Sequence, residues 1–165
     1  MVHAINERFG KASPKPFPIP PTSNIPIFSD NVIPSLLVHL GVIDLSASQP
    51  PLSTLYPEAH LNSKIESLLA AADGNQSKTK VIPKEGPILT SSTAYYLRAA
   101  AIDACELIVQ VARSMDLPSS TEREDLQWIK EITLPKLDLW LWAIAKDRLD
   151  YRMLERFVQK DTVFF

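Results

Sequence analysis

A carboxylate near the carboxyl end of the chain lies on the apolar face of a predicted helix. On a helix that turns about 100° per residue, Asp138 falls between Leu134 and Leu141, and Trp142 follows one turn later. A carboxylate on an apolar face is costly unless it is paired or hydrogen-bonded, and burial shifts its pKa, as sites for proton chemistry require. Asp138 is therefore a candidate catalytic residue. The pattern alone nevertheless favours the interpretation that it complements the start of its helix or pairs with a buried arginine such as Arg98.

A second carboxylate, Asp30, precedes a predicted helix that carries His39 among leucines. Aspartate is a preferred N-cap residue, so the pattern alone favours a cap over a catalytic group. A lone histidine among leucines is more typical of a packing residue than of a ligand. Phe28 and Trp142 could wall a pocket, although aromatic residues at helical spacing usually belong to the core.

Other kinds of site have little support in the sequence. The three histidines are far apart, which predicts no metal site, and the four scattered glycines form no phosphate-binding loop. No cofactor is predicted. Cys105 is the only cysteine, so an internal disulfide is excluded, and this usage is typical of a reducing compartment.

Composition argues against large charged partners. The formal net charge is −2 and the pI about 5.9, whereas a protein that grips nucleic acid along its phosphates usually carries a basic excess. No apolar run is long enough to cross a bilayer, and the first residues lack the apolar core of a secretory signal. We therefore predict a soluble cytoplasmic protein with no direct nucleic-acid or membrane partner.

The elements that must position these residues are predicted to be helices. Ten of the fourteen prolines lie between Pro14 and Pro57, so residues 1–24 are predicted to be an amino-terminal connector, with a short helix possible over 1–10. Residues 25–165 are predicted to form one helical domain. Its helices are expected at 31–42, 61–72, 92–115, 119–132 and 135–149, and a surface loop at 74–87. No convincing pair of strands is visible, so the predicted fold class is all-α, a compact helical array.

Three segments together resemble the queuosine salvage family, the queuosine 5′-phosphate N-glycosylases. Residues 28–41 (FSDNVIPSLLVHLG) resemble its aromatic-x-Asp-Tyr-x-x-Pro segment and the leucine-rich His-Leu-Gly that follows. Residues 97–108 (LRAAAIDACELI) resemble its Ile-Arg-small-small helix. Residues 137–147 (LDLWLWAIAKD) resemble its Leu-Asp-aromatic-aromatic-Leu-Trp segment. Order and spacing agree over roughly residues 25–165, which corresponds to the carboxyl-terminal half of the family pattern.

The resemblance implies a fold related to the helical core of helix-hairpin-helix DNA glycosylases. It also implies hydrolysis of queuosine 5′-monophosphate to queuine and ribose 5-phosphate, which returns queuine to tRNA modification. The matching carboxylates are Asp30 and Asp138, expected to be catalytic, with Phe28, Asn31 and Trp142 expected to bind the substrate.

The chain departs from the family pattern at two places within the resemblance. Asn31 stands where the family has tyrosine, and residues 158–161 (VQKD) stand where it has a His-Arg tail. An alternative function is therefore a catalytically incomplete fragment or a non-catalytic helical binding module.

Overall fold

Helices make up most of the chain in the computed structural model, which describes residues 2–70, 85–116 and 126–160. The longest helices are α4 and α5, and two short strands flank them in sequence. The elements are α1 (Val2–Phe9), α2 (Val32–His39), a 3-10 turn (Leu52–Thr54), α3 (Asn62–Leu69), β1 (Glu85–Leu89), α4 (Ser91–Ser114), α5 (Leu134–Asp147), α6 (Leu149–Arg152) and β2 (Arg156–Gln159).

The prediction of an all-α array is wrong, because β1 and β2 form a two-stranded parallel sheet. Ile88 pairs with Val158, and the register is irregular between Glu85 and Ile88. Gly86 lies in that irregularity, where an added Cβ would stand 2.6 Å from the carbonyl oxygen of Arg156. Pro87, which follows it, has no N–H to give to a ladder. The Gly-Pro pair that indicated a loop is thus part of a strand; the rest of that predicted loop, 74–84, lies outside the described residues.

The position of helix α2 follows from signals at both its ends. Asp30 accepts a hydrogen bond from the Val32 N–H at 2.7 Å, which satisfies one of the donors that a helix start leaves unpaired. At the other end Gly41 has φ +69°, the left-handed conformation that commonly ends helices. The predicted helix at 31–42 is therefore confirmed with a shorter end.

The buried face of α4 is rotated from the predicted one. The helical spacing of Leu97, Ala101, Ala104, Ile108 and Val111 predicts one buried stripe, but Val111 is 57% exposed. The centre of the observed buried face lies about 50° round the helix from the centre of that stripe. It carries mostly small side chains, which allow close packing but contribute little to a pattern based on large apolar residues: Ala94, Leu97, Ala101, Ala104, Cys105, Val109 and Ala112.

The remaining predicted helices differ mainly at their ends. The helix predicted at 61–72 is α3, and the one at 135–149 is α5 followed by α6. The helix predicted at 119–132 is wrong over 126–129, which adopt a 3-10 conformation, while its first part lies outside the described residues.

The chain divides into two compact units, and the residues of α4 and α5 are shared between them. The described residues of the first unit are 2–28, 105–116 and 126–139. In it α1 contacts the proline-rich segment: Asn6 donates to the Pro20 carbonyl at 2.8 Å, and the rings of Phe9 and Phe17 are 5.9 Å apart.

The second unit comprises, among the described residues, 29–70, 85–104 and 140–160. Phe157 of β2, which has no exposed surface, lies in its apolar core. The other buried members of that core come from α2, the 52–59 region, β1 and α4: Val38, Leu55, Tyr56, Ala59, Leu89, Ala94 and Leu97.

Candidate functional site

Two of the predicted site residues meet in the first unit. The Phe28 N–H donates a hydrogen bond of 3.0 Å to Asp138 Oδ1, although the two residues are 110 positions apart in the chain. Asp138 is partly buried on α5, whereas the Phe28 side chain is 60% exposed. A hydrogen bond from a backbone N–H favours the ionised carboxylate and fixes its orientation. The pair therefore places an oriented carboxylate next to an aromatic residue that faces solvent.

Cys105 lies in the same unit and is influenced by Asp138. Burial, and to a smaller extent the negative charge of Asp138, together raise the pKa of the Cys105 thiol to about 12. The side chain has no exposed surface. A thiol with such a pKa is protonated at neutral pH and is a poor nucleophile. Cys105 is therefore a packing residue beside the carboxylate.

Asp30, the other predicted catalytic residue, lies in the second unit and is only 5% exposed. Desolvation raises its pKa, and hydrogen bonds from the N–H groups of Val32 and Ile33 and the charge of Arg156 act in the opposite direction. Its observed contacts are those of a residue that caps α2, the alternative that its sequence position favours.

Asn31 belongs to a polar stripe on α2 that satisfies the backbone of β2 and the residue before it. Asn31 Nδ2 donates to the Phe157 carbonyl at 3.0 Å, and Ser35 Oγ accepts the Phe157 N–H at 3.4 Å. One turn on, His39 Nε2 is 3.0 Å from the Glu155 carbonyl. Because a carbonyl oxygen only accepts, Nε2 carries the hydrogen. Three side chains spaced by four residues thus form hydrogen bonds with the backbone of β2 and of the residue before it.

Tyr56 extends this network into the core of the second unit. Its hydroxyl is 2.8 Å from Ser35 Oγ, and its ring centroid is 4.4 Å from that of His39. Burial raises the pKa of Tyr56 to about 12 and lowers that of His39. Both groups are consequently neutral near pH 7.

Trp142, also a predicted binding residue, is partly buried in the second unit. The Lys146 ammonium lies 4.6 Å from the centroid of its ring, one turn along α5, in cation–π geometry. This contact covers part of the indole face. The predicted roles of all five residues, Asp138 and Phe28 included, in substrate binding or catalysis stay predictions.

The second unit also contains a cleft of about 600 Å³ that the sequence did not indicate. Its wall includes the His39–Tyr56 ring pair and a Lys64–Glu58 ion pair of 3.2 Å whose side chains are largely exposed. Residues from α2, the 56–59 region, α3 and residues 153–155 line it together. No spacing within any one of these segments signals a pocket, because the cleft exists only after they pack.

Comparisons of the chain with models of protein families, with curated proteins and with solved structures find no match. None of the helices in the described parts of the chain is long and apolar enough to cross a membrane. Within the same residues, no group of three or more histidine, cysteine or acidic side chains is arranged to hold a metal ion.

Proposed function

We propose that this chain hydrolyses the N-glycosidic bond of queuosine 5′-monophosphate and releases queuine for tRNA queuosine salvage. The observation that carries the proposal is the hydrogen bond between Phe28 and Asp138. These residues belong to the first and third of the three segments that resemble the queuosine salvage family. Their contact in one compact unit supports a shared role for the two segments.

The chemistry requires a carboxylate near the sugar or the base. Water adds to the anomeric carbon, the bond from that carbon to the base nitrogen breaks with its electrons going to the base, and a proton reaches the base. The sugar passes through an oxocarbenium-like state, which a carboxylate stabilises, and a carboxylate can also take the proton of the attacking water. Asp138 is suited to either task, because the Phe28 N–H favours its ionised form.

The exposed Phe28 ring supplies a surface on which a flat base can stack. Queuine is a 7-deazapurine and has no N7 to protonate, so help for the leaving group must come through its other atoms. Queuine also carries a cationic amine, which a second carboxylate could hold. The resemblance assigns that second carboxylate to Asp30, whose role stays a prediction.

Single-turnover release of queuine from queuosine 5′-monophosphate tests the proposal. The wild type should release queuine, and Asp138→Asn should slow release by about 10²-fold or more, the range typical of a lost acid–base group. Asparagine keeps an acceptor for the Phe28 N–H, so the variant is expected to fold, which its circular dichroism and melting temperature will check. Asp147→Asn makes the same chemical change at an exposed position of α5 and should not alter the rate.

Two results would contradict the proposal. One is a folded wild type that releases no queuine, which would favour a non-catalytic helical module or an incomplete fragment. The other is equal slowing by Asp138→Asn and Asp147→Asn. Guanosine 5′-monophosphate, assayed in parallel, shows whether any activity is selective for the deazapurine base.

A further inference from the structure

We propose that residues 15–21 form a docking site for an SH3 domain, which would bind them in its proline-recognising groove. This inference is independent of the proposed glycosylase activity, since it concerns a surface of the first unit that does not include Asp138.

The sequence of this segment, KPFPIPP, combines a basic residue with two pairs of an apolar residue and a proline. Proline-rich segments favour the polyproline II helix, which has three residues per turn. Residues three apart therefore lie on one edge: Lys15, Pro18 and Pro21 on the first, Phe17 and Pro20 on the second, and Pro16, Ile19 and Thr22 on the third. SH3 domains grip such a helix by two edges in grooves lined with aromatic residues.

The structure holds the segment by its third edge. Thr22 is 3% exposed, and its hydroxyl is 2.8 Å from His3 Nδ1 of α1. Ile19 is partly buried, whereas Pro18 and Pro21 are exposed. The burial pattern thus follows the three-residue period over 18–22 and turns the two edges that an SH3 domain needs towards solvent.

Helix α1 also restricts the freedom of the segment before any partner arrives. Asn6 donates a hydrogen bond to the Pro20 carbonyl, and residues 18–22 run without helix or turn. Prolines fix φ, so less conformational entropy is lost on binding. Residues 16 and 17 form a bend, which must straighten when Lys15 enters the same groove.

The charge and the apolar contacts of the segment favour an SH3 domain over other proline-binding domains. The only charged residues between Phe9 and Asp30 are Lys11 and Lys15, so a groove with a neighbouring acidic pocket is complementary. The Phe17 ring packs against Phe9 with centroids 5.9 Å apart and is 45% exposed, so a partner can contact one side of it, as an SH3 groove does, but cannot bury it, as EVH1 domains do. Thr22 and Ser23 follow the paired prolines, and no tyrosine is present there for a WW domain.

The test uses the full chain, titrated against a panel of purified SH3, WW and EVH1 domains in a surface-binding assay. At least one SH3 domain with an acidic specificity pocket should bind. The double variant Pro18→Ala/Pro21→Ala should weaken that binding more than about tenfold, or 1.4 kcal/mol. Lys15→Glu should weaken it by a similar factor. Pro26→Ala changes an exposed residue outside the segment and should leave the affinity unchanged.

Three outcomes would overturn the inference: no SH3 domain in the panel binds, only a WW or EVH1 domain binds, or binding survives the double proline variant. The substituted side chains are exposed, so the variants should keep the wild-type fold, which their circular dichroism and melting temperatures will check.

Discussion

Ser35→Ala removes a single oxygen atom and should nevertheless lower the stability of the second unit. The Ser35 side chain is 1% exposed, and its hydroxyl contacts the Tyr56 hydroxyl and the Phe157 N–H, two groups that are themselves buried. Ser35→Ala leaves both without this partner. A buried polar group that loses its partner costs about 1–3 kcal/mol.

The expected loss is nearer one such penalty than two. The Phe157 N–H also approaches the Tyr56 oxygen, which keeps it partly satisfied after the substitution. We therefore expect Ser35→Ala to lower the free energy of unfolding by about 2 kcal/mol, or the melting temperature by about 4–8 °C for a chain of this size. Urea unfolding followed by circular dichroism measures the loss. Ser67→Ala, at an exposed position of α3, is the matched control and should have almost no effect.

A double-mutant cycle with Tyr56→Phe tests whether the two hydroxyls share the Phe157 N–H. Removing both hydroxyls leaves no unpaired hydroxyl, but it takes both acceptors from that N–H, so the double variant should be no more stable than the sum of the single losses implies. A loss below about 0.5 kcal/mol for Ser35→Ala, together with a double variant clearly more stable than additivity implies, would refute the reasoning.

Two further predictions concern the end of α2 and the buried thiol. Gly41→Ala places a Cβ 2.7 Å from Ile65 Cδ1 at φ +69° and should lower the free energy of unfolding in urea by about 1–2 kcal/mol. Gly41→Asn should be less destabilising, because asparagine tolerates this φ. Equal losses for the two variants would mean that the contact with Ile65, and not the backbone conformation, sets the cost. Because the pKa of Cys105 is raised to about 12, the folded protein should react with a thiol reagent at pH 8 about a thousandfold more slowly than the unfolded chain, and Asp138→Asn should lower that pKa. The pKa of Cys105 in the folded protein lies above the ordinary value of 9.0, so below pH 9 the thiol is protonated in both states and costs no stability. As the pH rises from 9 towards 12, the thiol of the unfolded chain ionises first and the folded protein loses stability. A thiol that reacts equally fast in both states would contradict its burial.

The helices were the part of the fold that the sequence could predict. Helical spacing of apolar residues placed α5 and its buried face, where Leu137, Leu141 and Ala145 are buried and Lys136 is exposed. A helix hydrogen-bonds within its own segment, so its pattern is complete in one stretch of sequence. The buried face of α4 was less predictable, because small residues give a weak signal.

The strands could not be predicted for the opposite reason. Each strand has four or five residues, and each depends on a partner strand that is far away in the sequence, as the pairing of Glu85 with Arg156 shows. β1 also contains Gly86 and Pro87, which in isolation indicate a loop. Besides its pairing with β1, β2 is held by the packing of Phe157 in the core and by the hydrogen bonds of Asn31, Ser35 and His39.

The polar residues of the stripe on α2 have a structural explanation. Asn31 and His39 are polar residues on a helix whose other side chains are largely buried, but each pairs with a backbone carbonyl at or next to β2. Buried polar groups must find such partners, so their presence there needs no chemistry to explain it. Asp138 also pairs with a backbone group, the Phe28 N–H, but it differs in that this neighbour carries an aromatic side chain that is 60% exposed. That contrast is why the proposed reaction is centred on Asp138, and why the rate of the Asp138→Asn variant decides more than any substitution on α2.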